Sequence, residues 1–125
     1  MPGTFIFRPI EANLTHDTEW ISKMDPYCKF TIGWHSGESS VAKDQGKHPH
    51  WNDTITLERK HDEHTAKLVL KDKDHMNIDD SIGEGEINLD SVLSTGRSTQ
   101  WYDISHHSKP AGKVLIDIEY VGGGF

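Results

Sequence analysis

One cysteine, Cys28, stands in 125 residues. No internal disulfide framework can form, and a reducing compartment is expected. No apolar run reaches the ~18 residues that carry a helix across a bilayer. Basic excess is missing as well: 13 Lys and Arg face 20 Asp and Glu, a net charge of −7. Nucleic acid needs a basic face and is excluded as a partner. A purely electrostatic grip on anionic lipid is excluded too. The start Met1-Pro2-Gly3 shows no secretory leader and lacks the glycine at position 2 that myristoylation needs, and Phe125 closes no prenylation box. A cytoplasmic location is expected. The chain shows no nucleophile elbow, no phosphate-cradling glycine loop and no Ser/His/Asp arrangement. No residue is assigned a catalytic role, and a non-enzymatic protein is expected.

Helical periodicity is also scarce, confined to one turn at residues 90–93. What the chain has is short apolar alternation broken by turn residues, in a single polar domain over residues 1–125 with 34% hydrophobic and 26% charged residues. Phe5 and Phe7 alternate, then the phase slips at Arg8-Pro9, where a bulge is expected, and Ile10 and Ala12 carry on. Cys28, Phe30, Ile32 and Trp34 make a second strand, and residues 39–42 a weak third. Ile55 and Leu57 mark a fourth, led in by Trp51; Ala66, Leu68 and Leu70 a fifth. Residues 82–89 form the sixth, with Gly83 and Gly85 where side chains would crowd. Residues 101–104 form the seventh, and Val114, Ile116, Ile118 and Tyr120 the eighth. Eight short strands without a substantial helix predict an all-β, eight-stranded antiparallel sandwich.

The acids are concentrated. Four aspartates, Asp72, Asp74, Asp79 and Asp80, lie within nine residues. Asp17, Glu19 and Asp25 sit in an earlier loop. Carboxylates packed this closely repel one another unless a cation sits among them, and Ca²⁺ takes six to eight oxygens in flexible geometry. Asp72 and Asp74, two residues apart at a strand end, project to the same side. Asp80 closes that loop and Asn77 adds a neutral oxygen. An EF-hand is ruled out, because its sixth and twelfth loop positions hold Asn77 and Gly83 here. The ion is therefore shared between two loops, with Glu19 and Asp25 facing Asp72, Asp74 and Asp80, and Asp17 in reserve. Apolar residues stand among the acids: Trp20, Ile21 and Met24 in the first loop, Met76 and Ile78 in the second. Aromatic and apolar tips suit a membrane interface, and His75 lies beside them to meet lipid phosphate.

These segments resemble the C2 domain family of Ca²⁺-dependent phospholipid-binding β-sandwiches over nearly the whole chain, and within it the small single-domain elicitor-responsive group of plants. The carriers are DTEWISKMDPY, then HPHWND, then DKD with DDSIGE, then AGKVLIDIEY, in that order. The resemblance implies Ca²⁺ ligands at Glu19, Asp25, Asp72, Asp74 and Asp80, with Asn77 auxiliary and carbonyls from Thr18 and Lys73. It also implies no catalysis. The family usually places Asp where Glu19 stands, so one of its two or three ions is weakened. The lysine patch by which many members hold phosphoinositides is not strong here. The expected function is Ca²⁺-dependent, reversible docking on an anionic phospholipid membrane in signalling. The alternative is a Ca²⁺-independent adaptor that binds a protein partner, or a subunit of a larger assembly. Nine histidines are present, but none joins a second pair at zinc-ligand spacing, and they read as solvated surface residues.

Overall fold

A computed structural model, which describes residues 3–19 and 23–122, is all-β apart from one short helix. The strands are β1 (Gly3–Leu14), β2 (Pro26–Ile32), β3 (His35–Glu38), β4 (Ile55–Arg59), β5 (Thr65–Asp72), β6 (Asp80–Asn88), β7 (Arg97–His106) and β8 (Lys109–Gly122), with α1 (Asp90–Thr95) between β6 and β7. All pairings are antiparallel, in the order β3-β2-β5-β6-β7-β8-β1-β4. Two four-stranded halves are joined by a single pair, Glu84 with Ser105. The halves face each other across the core. Phe7 of β1 stacks on Phe30 of β2 across it, ring centroids 4.6 Å apart, and within one half Phe5 meets its β8 neighbour Tyr120 at 4.8 Å.

The two-residue period does the sorting. Phe30 and Ile32 on β2, Leu68 and Leu70 on β5, and Val114, Ile116 and Ile118 on β8 are all fully buried. Removing each such side chain from water is worth about 1.5–3 kcal/mol. The phase slip on β1 lies at Ile10, the extra residue between Pro9 and Glu11 in the β8 register. It is exposed, and Ala12 and Leu14 resume the buried face.

The third strand is not residues 39–42. Gly33, at φ 56°, and Trp34 form a two-residue hairpin that pairs Ile32 directly with His35, so the strand is His35–Glu38. His-Ser-Gly-Glu has no apolar alternation and carries no sequence signal. Trp34 caps that hairpin and is 95% exposed rather than buried on β2. Gly85 is needed where β6 meets β7: a Cβ there would lie 2.5 Å from the Asp103 carbonyl oxygen. On the outer face, Asp117 is buried and fully paired. Arg97 donates to it from Nε at 3.1 Å and Nη2 at 2.8 Å, Thr99 from its hydroxyl at 2.9 Å, and Arg8 from Nη1 at 3.1 Å.

Candidate metal centre

Strand register assembles the acidic end. Pro26 pairs with Asp72, and Asp72 pairs with Asp80. One row across β2, β5 and β6 therefore carries the start of β2 and both aspartates. Proline at the first position of β2 costs no ladder bond and fixes the chain as it leaves the β1–β2 loop.

Carboxylate oxygens of Glu19, Asp72 and Asp80 lie within 4.8 Å of one another. Asp72 is buried, at 2% exposure. Its Oδ1 accepts the Asp25 N–H at 2.8 Å and its Oδ2 accepts the Thr18 hydroxyl at 2.6 Å. Among the described residues no lysine, arginine or histidine lies within ion-pairing distance of Asp72 or Asp80. A buried carboxylate held by neutral donors, facing two further carboxylates, is costly unless a cation joins it. The donors are all oxygen, which fits a hard divalent cation such as Ca²⁺ and not a site built on imidazole or thiolate.

The other expected acids, Asp17, Asp25 and Asp74, do not join this trio. Asp25 ties three loops together: its N–H donates to Asp72, its carbonyl accepts the Lys73 N–H at 3.0 Å, and its Oδ1 accepts the Asp44 N–H at 2.7 Å. Asp74 Oδ1 accepts the N–H groups of Met76 at 2.9 Å and Asn77 at 3.1 Å, so it winds its own loop. Asn77 itself is exposed. Asp17 Oδ1 accepts the Glu19 N–H at 2.9 Å, which shapes the first loop beside the trio. Met76 is 88% and Ile78 90% exposed, with His75 exposed next to them. Trp20 and Ile21 lie outside the described residues. Met24 is no apolar tip. It is buried in the core, and its Sδ accepts the Thr18 N–H at 3.4 Å.

Sequence reasoning missed a supporting pair. The Tyr27 hydroxyl donates to Asp79 Oδ2, and Asp79 Oδ1 accepts the Asp74 N–H at 2.9 Å. That backbone bond, then the Tyr27 bond, outweigh burial, and with Lys73 and Lys71 they hold the Asp79 carboxyl below the usual range. Burial first, then the bond to Asp79 and the charges of Asp79 and Glu38, push the Tyr27 phenol far up. Asp79 thus fixes the β5–β6 loop from within. The available signal was a tyrosine on the strand beside an unassigned fourth aspartate. Histidines are less uniformly solvated than expected. His16 Nδ1 lies 2.8 Å from the Ile82 carbonyl oxygen, and its ring packs on His106 at 4.2 Å. Desolvation, then the nearby His16 and His107, lower the His106 pKa. Among the described residues no histidine belongs to a metal-holding group.

Residues 3–104 match the family described as "C2 domain", a family known for Ca²⁺ and lipid binding whose members are generally non-catalytic binding modules. "Elicitor-responsive protein 3" of Oryza sativa subsp. japonica is 30% identical over 119 residues, covering 94% of this chain and 83% of that protein. "16 kDa phloem protein 2" of Arabidopsis thaliana is 31% identical, covering 94% and 81%. Among solved structures, a C2 domain-containing protein from an elicitor-responsive gene superposes with a TM-score of 0.84 at 26% identity, covering 98% of this chain and 91% of that one. The calcium-bound tandem C2 domains of Extended-Synaptotagmin 2 superpose with a TM-score of 0.77 at 25% identity, covering 94% and 45%. No helix among the described residues is long and apolar enough to cross a membrane. The eight-stranded antiparallel sandwich, the family match and these relatives agree: the chain belongs to the C2 domain family.

Proposed function

We propose that this chain is a Ca²⁺-dependent phospholipid-binding module that docks reversibly on anionic membranes through its β1–β2 and β5–β6 loops. The observation that carries the reading is the convergence of Glu19, Asp72 and Asp80 oxygens within 4.8 Å of one another, beside exposed Met76 and Ile78. Glu19, Asp72 and Asp80 would hold Ca²⁺, with Asp25, Asp74 and Asn77 at the margin. When bound, Ca²⁺ supplies positive charge and coordination positions that lipid phosphate can fill. Without a cation the acidic rim repels anionic headgroups and keeps the loops off the surface. Met76 and Ile78, and Trp20 and Ile21 from the sequence, supply the apolar contact. Burying Met76 and Ile78 contributes at most about 3–6 kcal/mol together. The calcium-bound neighbour supports the choice of ion.

Sedimentation with phosphatidylserine vesicles tests this. The chain should pellet with vesicles in Ca²⁺ and remain in solution in chelator. Asp72→Asn with Asp74→Asn should abolish pelleting. Met76→Ala with Ile78→Ala should reduce it while leaving the Ca²⁺-induced rise in melting temperature intact. Equal behaviour with and without Ca²⁺ would replace this reading with that of a protein-binding adaptor.

A further inference from the structure

The open side of the sandwich carries a feature the acidic end does not use. β7 pairs with β8 along its whole length, yet it meets β6 at one position only, Glu84 with Ser105. Past Gly85 and Asp103 the two strands diverge under α1 and leave an open cleft of about 610 Å³. From residue 98 to residue 102 the β6-facing edge of β7 has no strand partner among the described residues. Five residues of edge span about 15 Å. Natural sheets blunt such edges with charge, proline or a covering segment. Here the edge reads Ser98-Thr99-Gln100-Trp101-Tyr102, with neither charge nor proline. Its cover is slight: Gln100 Nε2 reaches the Ser91 hydroxyl of α1 at 3.5 Å.

The cleft also has a sign. Glu86, Asp90 and Asp103 line it and no lysine or arginine does. Asp90 is engaged by His64 at 2.7 Å. Among the described residues Glu86 and Asp103 have no ion-pair partner. Lys67, opposite Glu86 on β5, is turned to Glu84 at 3.4 Å. Lys113, opposite Asp103 on β8, pairs with no described carboxylate. Trp101, 42% exposed, offers an apolar wall. The Tyr102 hydroxyl is buried without a hydrogen-bond partner among the described residues, which is rare for a buried polar group.

We infer that this cleft is a docking surface for an extended, lysine- or arginine-bearing peptide segment, which adds to β7 as a further strand and sets its cations against Glu86 and Asp103. Main-chain pairing supplies attachment and the acids supply selection. A second copy of this chain is disfavoured as occupant, because it would bring an equally acidic cleft, an edge without the cations to meet Glu86 and Asp103, and a net charge of −7.

The test uses the full ¹⁵N-labelled chain in chelator, titrated with a blocked Lys-Val-Lys-Val-Lys-Val peptide. Two further peptides serve as controls: the Glu-Val counterpart, and the Lys-Val peptide N-methylated along one edge. The expected result is a set of shifts centred on the amides of residues 98–102 and the Trp101 indole. Binding should weaken at least tenfold in Glu86→Lys with Asp103→Lys, vanish for the N-methylated peptide, and persist in Asp72→Asn with Asp80→Asn. Shifts centred on the acidic loops, equal binding of the Glu-Val peptide, or undiminished binding of the N-methylated peptide would overturn the inference. So would concentration-dependent self-association through this edge in place of peptide binding. The N-methylated arm uses the unmodified protein, so it decides the matter even where the charge-reversed variant fails to fold.

Discussion

Replacing Asp80 by Asn should stabilise the chain in chelator and blunt its response to Ca²⁺. The opposite signs make this a demanding test. Asp80 is exposed and accepts no side-chain hydrogen bond among those described, so the amide costs no bond. What it removes is repulsion. Two unit charges 4.8 Å apart, the outer limit of the Glu19–Asp72–Asp80 trio, repel by about 0.9 kcal/mol in water and about 3.5 kcal/mol at an effective dielectric near 20. Exposure of Asp80 places it near the watery end. Two such neighbours then give about 1–2 kcal/mol, a rise in melting temperature of about 3–8 °C for a domain of this size. With Ca²⁺ the comparison inverts. Saturation at a hundred times the dissociation constant adds about 2.7 kcal/mol to the native state, and losing a ligand carboxylate forfeits most of it. Thermal melts of both proteins, each in chelator and in millimolar Ca²⁺, supply the four numbers. A lower melting temperature for Asp80→Asn in chelator, or an undiminished Ca²⁺ shift, would refute the idea that these three carboxylates strain against one another around a cation position.

Three further outcomes are expected. Asp117→Ala should cost about 1–2 kcal/mol in urea unfolding, since it removes the acceptor that Arg97, Thr99 and Arg8 share, while Arg8 keeps Glu119 and water reaches Arg97 and Thr99. Burial of Asp117 raises its pKa, but the bonds from Arg97, Thr99 and Arg8 and the Arg97 charge outweigh it and hold the folded value below the unfolded 3.8. The contribution is therefore complete at neutral pH and is lost as pH falls below about 4, and Asp117→Asn should flatten that acid limb. Tyr27→Phe should remove one donor from Asp79, worth about 1 kcal/mol. It should speed amide exchange at residues 73–79 and weaken Ca²⁺ roughly fivefold, while the core amides of β5 stay protected. Gly85→Ala should destabilise by about 1–3 kcal/mol, read by denaturant midpoint, because its Cβ would meet the Asp103 carbonyl oxygen at 2.5 Å.

Where one face of a strand is packed, its period appears in the residues themselves. β2, β5 and β8 are legible for that reason, and strand parity then puts both acidic loops at one end. β3 is not, because a hairpin edge of His-Ser-Gly-Glu buries little and is defined by its two-residue turn. Trp34 misleads for a related reason. Two-residue alternation continues formally past Ile32, and only the turn at Gly33 shows where the strand stops. Met24 misleads because an apolar residue in an acidic loop looks the same whether it points outward or plugs the core. The acids themselves are legible as a cluster, but their division of labour is not. Asp72 becomes the buried centre, Asp79 a loop brace bound to Tyr27, and Asp74 a turn former. Those roles follow from which donors face each oxygen, and such donors are distant in sequence or belong to the backbone.

The hairpin tip at Trp34 lies at the far pole from the acidic end. β2 starts beside Asp72 and runs to Ile32, so roughly 20 Å of extended strand separates them. An indole that is 95% exposed at that pole should stay in contact with aqueous quenchers however deeply the opposite loops settle into lipid. It gives the molecule a built-in reference lamp, against which the dimming or brightening of its other tryptophans can be calibrated without any attached dye.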